Sequence, residues 1–318
     1  MDRTTANRKN AVLFFAGIER LTIKERLGKG ERFGDVFYIT NEPLVIEALI
    51  SRSGPSIGHI EFSSLTSGRC VVYSQEETNV EDDDAADGIL KLRLAQVSTF
   101  FHHIWLTRDH SVGLEYGYLH VGGGQEDARV TRNAFLHTIT RADGSQPIEE
   151  FGREEFRVVR NSYKLPDEIQ WGNQPLATED AGRVGRAWYF LQAARQEGDL
   201  AAKIANYCIV FEALFSTDSS ELSHKLAERI AFFLEAKQEE RLALYRAIKR
   251  AYSVRSKVVH GARAAANVDA LTDASKLCDN TARRIMARLM SERDLWQQFE
   301  RSSSEKHEQF LLELVLAN

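Results

Sequence analysis

Residues 252–261 combine, within a short stretch of chain, side chains that can act on a phosphodiester. Arg255 carries a permanent cation that can bind phosphate, and His260 can accept or donate a proton near neutral pH. Ser256 and Lys257 add a hydroxyl and a second cation between them. These groups suffice in principle to cut RNA without a metal ion. The Arg-x4-His spacing alone is not enough evidence for this hypothesis.

The spacing alone carries little information because it recurs. Four arginine–histidine pairs with four to six intervening residues occur, namely Arg52/His59, Arg132/His137, Arg255/His260 and Arg301/His307. The first pair lies among glycines and a proline, which predicts a turn. The second falls in a predicted strand, where its side chains point to opposite faces. The fourth has three serines between its members, which predicts an exposed linker, so only the third belongs to a predicted helical bundle.

Helical geometry constrains this third pair. Five residues at about 100° each place Arg255 and His260 about 140° apart on a regular helix, whereas Ser256 and His260 share a face. The pair therefore converges if the helix begins or breaks between them or if the arginine reaches round. Alternatively, each residue meets its counterpart from a second subunit.

Other catalytic motifs are weak or absent. Residues 27–36 have a GxGxxxG spacing, one residue longer than a kinase glycine-rich loop, and the chain has no His-Arg-Asp or Asp-Phe-Gly motif. We interpret this segment as a turn between strands. The sequence also contains no Walker, Gly-x-Ser-x-Gly or His-Glu-x-x-His motif.

Metal and cofactor sites are not predicted. His102, His103 and His110 lie at and after the end of a predicted helix, where capping or surface roles are common. The acidic run at residues 81–84 fits the N-terminus of that helix through its dipole, with a metal site as the alternative. The three cysteines lack zinc or disulfide spacing, which favours a reducing cytoplasm. We expect no cofactor and no metal.

Composition limits the classes of function. The 318 residues, 43% of them hydrophobic, allow two domains or one large one. A net charge of −5 argues against a surface that is basic overall, although a local basic groove remains compatible with it. The apolar run at residues 11–16 is too short to span a membrane and predicts a first strand instead. We therefore expect a soluble protein without membrane contact.

Periodicity predicts an α+β fold. Residues 1–165 are interpreted as a mixed α/β domain with antiparallel strands, and a boundary is placed near residues 165–177. The predicted strands are residues 11–16, 36–40, 45–49, 57–62, 70–73, 112–121 and 130–140, with a helix at 85–106 and a glycine-rich hairpin tip at 122–124. Residues 178–318 are predicted to be helical at 178–195, 200–216, 221–236, 238–252, 268–290, 295–299 and 309–316. Such closely connected helices predict an antiparallel bundle.

Three blocks in this helical region resemble the HEPN superfamily, in particular its ApeA-like bacterial members. They are Phe-Glu-Ala-Leu-Phe at residues 211–215, Ser-Ser-Glu-Leu-Ser-His-Lys-Leu-Ala-Glu-Arg-Ile-Ala at 219–231, and residues 252–261. Their order and spacing are more specific than Arg-x4-His alone. The resemblance covers roughly residues 178–295 and leaves the first 165 residues without a family-derived function.

The resemblance implies a four-helix bundle that dimerises, so that two Arg-x4-His motifs face a shared cleft. Many such proteins are metal-independent endoribonucleases. In that interpretation His260 acts as general base or acid on the ribose 2′-hydroxyl, and Arg255 holds the scissile phosphate. Ser256 stands where many relatives have Asn, Asp or His, so its role is open. Glu212 would position Arg255, and Lys257 would add charge.

The predicted function is an RNA-cleaving, toxin-like effector in antiviral defence or a stress response. RNA is the expected substrate, a homodimer the expected assembly, and the N-terminal domain the expected place for a trigger or inhibitor partner. The alternative is a non-catalytic HEPN module that binds RNA or protein.

Overall fold

The computed structural model describes residues 10–33, 36–51, 53, 57–122, 129–134, 138–162, 182–217, 222–259 and 267–316. It divides into two compact units. The sheet unit comprises residues 1–104, 111–138 and 147–161, and the helical unit comprises residues 105–110, 139–146 and 162–318. The fold is α+β, with an antiparallel sheet and helices followed by an all-helical region, which confirms the predicted class. The predicted boundary at 165–177 lies outside the described residues and stays a prediction.

The first part of the chain alternates strands and helices. The strands are β1 (Asn10–Glu19), β2 (Leu21–Ile23), β3 (Glu31–Phe33), β4 (Phe37–Thr40), β5 (Val71–Thr78), β6 (Gly113–Gly122), β7 (Arg129–Ala134) and β8 (Glu149–Phe151). The helices are α1 (Pro43–Ile50), α2 (His59–Thr66), α3 (Asp83–Thr107) and α4 (Arg153–Ser162).

The main sheet has six strands in the order β3-β4-β5-β1-β6-β7, and every neighbouring pair is antiparallel. A separate parallel pair joins β2 to β8. In the middle of the main sheet, β1 is buried continuously from Val12 to Ile18. Such an uninterrupted apolar run fits a strand that is covered on both faces.

Different helices cover the two faces of this sheet. On one face, Phe15 of β1 packs with Ile46 of α1 and Leu65 of α2. On the other, Leu94 of α3 approaches β6 so closely that a Cβ added at Gly117 would lie 2.6 Å from it. Glycine at this position therefore lets α3 lie against the strand.

Two predicted strands are wrong. Residues 45–49 belong to α1, and residues 57–62 fall largely in α2. In α1 the buried residues Ile46, Leu49 and Ile50 follow helical spacing, and Pro43 stands at the start of the helix, where its missing N–H costs nothing. In α2 Ile60 is exposed, so its apolar character does not mark a buried strand.

The predicted hairpin is present as the antiparallel pair β6–β7, while its tip at residues 123–128 lies outside the described residues. The second strand is shorter than predicted, because β7 ends at Ala134. Thr140 instead belongs to the helical unit, where its backbone N–H donates to the Arg195 carbonyl at 2.8 Å. A tertiary contact has replaced the continuation of the strand.

The helical unit follows the predicted series of helices. They are α5 (Arg183–Gln196), α6 (Leu200–Phe215), α7 (Leu222–Leu234), α8 (Gln238–Val259), α9 (Val268–Ser291), α10 (Arg293–Arg301) and α11 (Ser304–Leu316). Caps define two of the starts: Asp199 accepts hydrogen bonds from Ala201 and Ala202 before α6, and Asn267 accepts one from Ala270 before α9. Leucine, isoleucine and aromatic side chains from all seven helices form a single apolar core.

A buried polar network crosses this core. The carboxylate of Asp279, only 1% exposed, accepts hydrogen bonds from Trp105 Nε1 at 2.9 Å and Tyr207 OH at 2.7 Å, and Arg283 forms an ion pair with it. Burial and the nearby Asp279 raise the pKa of Tyr207, which therefore stays a proton donor. Burial lowers the pKa of Lys203, whose Nζ donates to the Ala194 carbonyl, to about 8.

The helical unit includes two segments that precede its helices in the sequence. Trp105 supplies one donor to Asp279, and the Ala142 carbonyl accepts a hydrogen bond from the buried Ser275 hydroxyl at 2.6 Å. Residues 178–318 expressed alone lack both groups.

We therefore expect a fragment of residues 178–318 to aggregate or to melt without cooperativity, because it leaves buried polar groups and apolar surface uncovered. Circular dichroism on heating would measure this, with co-expression of residues 1–177 as the rescue. Cooperative melting of the fragment alone, near the midpoint of the full chain, would contradict it.

Replacing Asp279 by alanine should destabilise the protein by about 3–5 kcal/mol, because Arg283 and two buried donors lose their acceptor. Asp273→Ala, an exposed change on the same helix, is the matched control and should cost less than about 0.5 kcal/mol. Urea unfolding of both variants provides the measurement. Equal stability of the two would show that the network contributes nothing.

Candidate functional site

The candidate site lies on α8, a 22-residue helix without glycine or proline. Its inner face buries Leu244, Ile248 and Ala251, which repeat at helical spacing. Acidic residues in the first turn and Lys257 in the last complement the helix dipole. The helix runs through Arg255 to Val259, so the backbone does not break or begin between Arg255 and Val259.

Arg255 is held by two neighbours. Its Nη2 lies 3.1 Å from Oε1 of Glu212 on α6, and its guanidinium carbon lies 5.4 Å from the centre of the Tyr252 ring. The Tyr252 hydroxyl donates to the same Glu212 oxygen at 2.6 Å. The sequence-based expectation that Glu212 positions Arg255 agrees with this contact.

The cluster is partly open to solvent, since the side chains of Arg255 and Glu212 are 23% and 20% exposed. Burial, followed by the hydrogen bond to Glu212, raises the pKa of Tyr252, so the phenol stays protonated and orients the carboxylate. Within the described part of the chain, the hydrogen bonds of Arg255 come from Nη2 alone. Its Nε is buried without a partner among the described residues, so a phosphate oxygen would have to bind the solvent-exposed part of the guanidinium.

The remaining predicted site residues lie beyond Arg255. Ser256 is half-buried and one helical turn from Tyr252, and Lys257 is exposed. His260 lies outside the described residues, so its proposed partnership with Arg255 stays a prediction.

Sequence reasoning missed a second polar group beside this cluster. On α7, His224 is exposed, and its Nδ1 lies 2.8 Å from the hydroxyl of Tyr245 on α8, with the two rings perpendicular at 5.6 Å. One turn further along α8, Lys249 Nζ lies 3.3 Å from the Ser223 hydroxyl. The signal in the sequence is the spacing of Tyr245, Lys249 and Tyr252, which is that of one helix face.

The other three arginine–histidine pairs lie in surroundings that differ in part from those predicted. His59 is exposed at the start of α2, and Arg132 is exposed beside Glu61, while Arg52 and His137 lie outside the described residues. The predicted linker is confirmed for Ser302 and Ser303, which join α10 to α11, but it is wrong for His307.

His307 is fully buried in α11, and its Nε2 lies 2.8 Å from the Leu214 carbonyl oxygen. The serines that suggested a linker also mark a helix start. Ser303 lies just before α11, and its hydroxyl accepts a hydrogen bond from the Lys306 N–H at 3.4 Å.

The predicted capping or surface role for the other histidines is also wrong. His102 and His103 are buried within α3, and His110 is fully buried after it. Burial lowers the pKa of His103 to about 4, which keeps its imidazole neutral. Among the described residues, no group of three or more His, Cys, Asp or Glu side chains is arranged to bind a metal ion.

Comparisons with protein-family models, with curated proteins and with solved structures find no match for this chain. Within the described residues, no helix combines the length and apolar character needed to cross a membrane.

Stability should fall on acidification because of His307. Burial lowers the pKa of His307 from 6.5 to about 4, so the unfolded chain binds a proton before the folded one does. The stabilisation is complete above about pH 6.5 and is lost as the pH falls towards 4, by about 3 kcal/mol.

Urea unfolding at pH 7 and pH 4.5 would measure this loss in the wild type and in His307→Gln, with His59→Gln as the exposed control. The difference between the two pH values should shrink in His307→Gln only. A pH dependence that is the same in all three proteins would contradict the assignment to His307.

Proposed function

We propose that the helical unit is a metal-independent endoribonuclease of the HEPN type. The observation that carries the proposal is the cluster of Arg255, Glu212 and Tyr252, which holds a cation at the solvent-accessible edge of the bundle, five residues before His260. A positioned arginine can bind a phosphodiester and stabilise the charge that develops on it.

In the proposed reaction His260 removes the proton from a ribose 2′-hydroxyl. The 2′-oxygen then forms a bond to phosphorus, and the bond from phosphorus to the 5′-oxygen breaks as that oxygen takes up a proton. The products are a 2′,3′-cyclic phosphate and a 5′-hydroxyl. Arg255 neutralises charge on the phosphate throughout, and Glu212 acts as a positioning residue.

The geometry of α8 supports a homodimer in this proposal. The helix is unbroken from Arg255 to Val259, and the Glu212 contact directs Arg255 towards α6. In this proposal a second copy brings an arginine and a histidine together in a shared cleft. It also supplies two histidines for the two proton transfers.

By analogy with the resemblance, we place this nuclease in the class of toxin-like effectors of antiviral defence or stress responses. The N-terminal part would then respond to a trigger or an inhibitor, and the protein would act in the cytoplasm. The rival is a non-catalytic module that binds RNA or protein.

The decisive test incubates the purified full chain with single-stranded RNA in EDTA and maps the product ends. The wild type should produce cyclic phosphate ends, and Arg255→Ala and His260→Ala should each lower the rate by at least about 100-fold. His59→Ala and Arg293→Ala, exposed changes elsewhere, are the matched controls and should cleave normally.

Growth arrest on expression provides the parallel measurement in cells, and it should disappear in His260→Ala. Glu212→Gln keeps an acceptor for Tyr252 but removes the charge opposite Arg255, so it should lower kcat without changing the thermal midpoint. RNA that stays intact in vitro, together with growth arrest that persists in His260→Ala, would rule out the nuclease and favour the binding module.

A further inference from the structure

From Arg241 to its end, α8 is strongly basic. Between residues 241 and 259 it has six cationic side chains and no carboxylate. They are Arg241, Arg246, Lys249, Arg250, Arg255 and Lys257. The whole chain has a net charge of −5, so this helix is a local excess of positive charge. Such an excess makes a surface that attracts anions.

Several of these cations form an outer row on α8. Arg246, Arg250 and Lys257 are exposed and lie within about 40° of one another around the helix axis. Within the described residues, Arg246 and Arg250 have no hydrogen-bond or ion-pair partner. As far as the described residues go, their charges are therefore available to an anion.

An aromatic pair lies beside this row. The exposed imidazole of His224 meets the edge of Tyr245 at an interplanar angle of 87°, and the hydrogen bond between them fixes both rings. Lys249 lies one turn further along α8, held near the Ser223 hydroxyl. Rigid ring surfaces next to cations are the combination that binds unstacked bases and their phosphates.

We propose that this strip, defined as His224, Tyr245, Arg246, Lys249 and Arg250, binds single-stranded RNA. A base stacks on the His224–Tyr245 pair, and the cations bind neighbouring phosphates. Single-stranded RNA fits because a duplex hides its base faces inside the helix. The inference rests on the proposed nuclease function and specifies how its substrate is held.

Distances along α8 set the length of RNA that the strip engages. Tyr245 precedes Arg255 by ten residues, or about 15 Å along the axis, and Lys249 precedes it by about 9 Å. Because Tyr245 and Arg255 also lie about 80° apart around the helix, a strand that touches both must span several nucleotides. Short dinucleotide substrates would miss the strip.

The experiment measures binding without cleavage. A fluorescein-labelled 12-nucleotide 2′-O-methyl RNA, which has no free 2′-hydroxyl to react, is titrated with the full chain at several salt concentrations. Tyr245→Leu should raise Kd about tenfold at every salt concentration. Lys249→Gln should raise Kd and reduce the slope of log Kd against log salt by about one.

Matched controls lie elsewhere on the helical unit. Tyr189→Leu on α5 and Lys306→Gln on α11 change exposed residues of the same types and should leave Kd unchanged. If Tyr245→Leu fails to fold, the double change Arg246→Gln and Arg250→Gln tests the strip, because these exposed side chains lack partners among the described residues.

The strip would be overturned by the absence of RNA binding, or by a Kd that neither the strip variants nor the double change alters. A change in sedimentation mass in Tyr245→Leu with unchanged RNA binding would assign the surface to a second copy of the chain and also overturn it. Strip-dependent binding without cleavage of ordinary RNA would support the strip while rejecting the nuclease, so the two proposals fail separately.

Discussion

The helical unit depends on the buried carboxylate of Asp279. A charge removed from water is costly unless its partners are all in place, so Trp105, Tyr207 and Arg283 must reach it together. This requirement fixes α6 against α9, and it adds to the helical unit the segment that contains Trp105, which lies far earlier in the chain. Five residues after Tyr207, the same α6 carries Glu212. The network therefore sets the position of the residue that holds Arg255.

Periodicity predicted the long elements well and the short ones poorly. The helix at residues 85–106 and the helices of the second half bury regular apolar stripes, which a sequence shows directly. The segments at 45–49 and 57–62 are too short for their period to separate helix from strand, and only Pro43 marked the first of them as a helix start. The burial of His307 could not be predicted, since it depends on α11 packing against the carbonyl end of α6.

The candidate site was predictable in part. Arg255 and Glu212 were found from their residue types and from the resemblance, and they lie in contact. The contribution of Tyr252 to holding Glu212, and the pairing of His224 with Tyr245, require knowing how α6 and α7 lie along α8. Such cross-helix pairs join residues 21 and 40 positions apart in the chain, where no local pattern exists.

The contact between Arg255 and Glu212 suits a residue that must exchange partners. Ion pairs open to solvent contribute only about 0–1 kcal/mol, and this pair is only partly withdrawn from water. A phosphate can therefore share the guanidinium at small cost. The Tyr252 hydroxyl keeps Glu212 in place meanwhile, because its raised pKa preserves the donated proton. The arginine is thereby oriented before substrate binds. Its ion pair with Glu212 nevertheless holds it less strongly than a buried ion pair would.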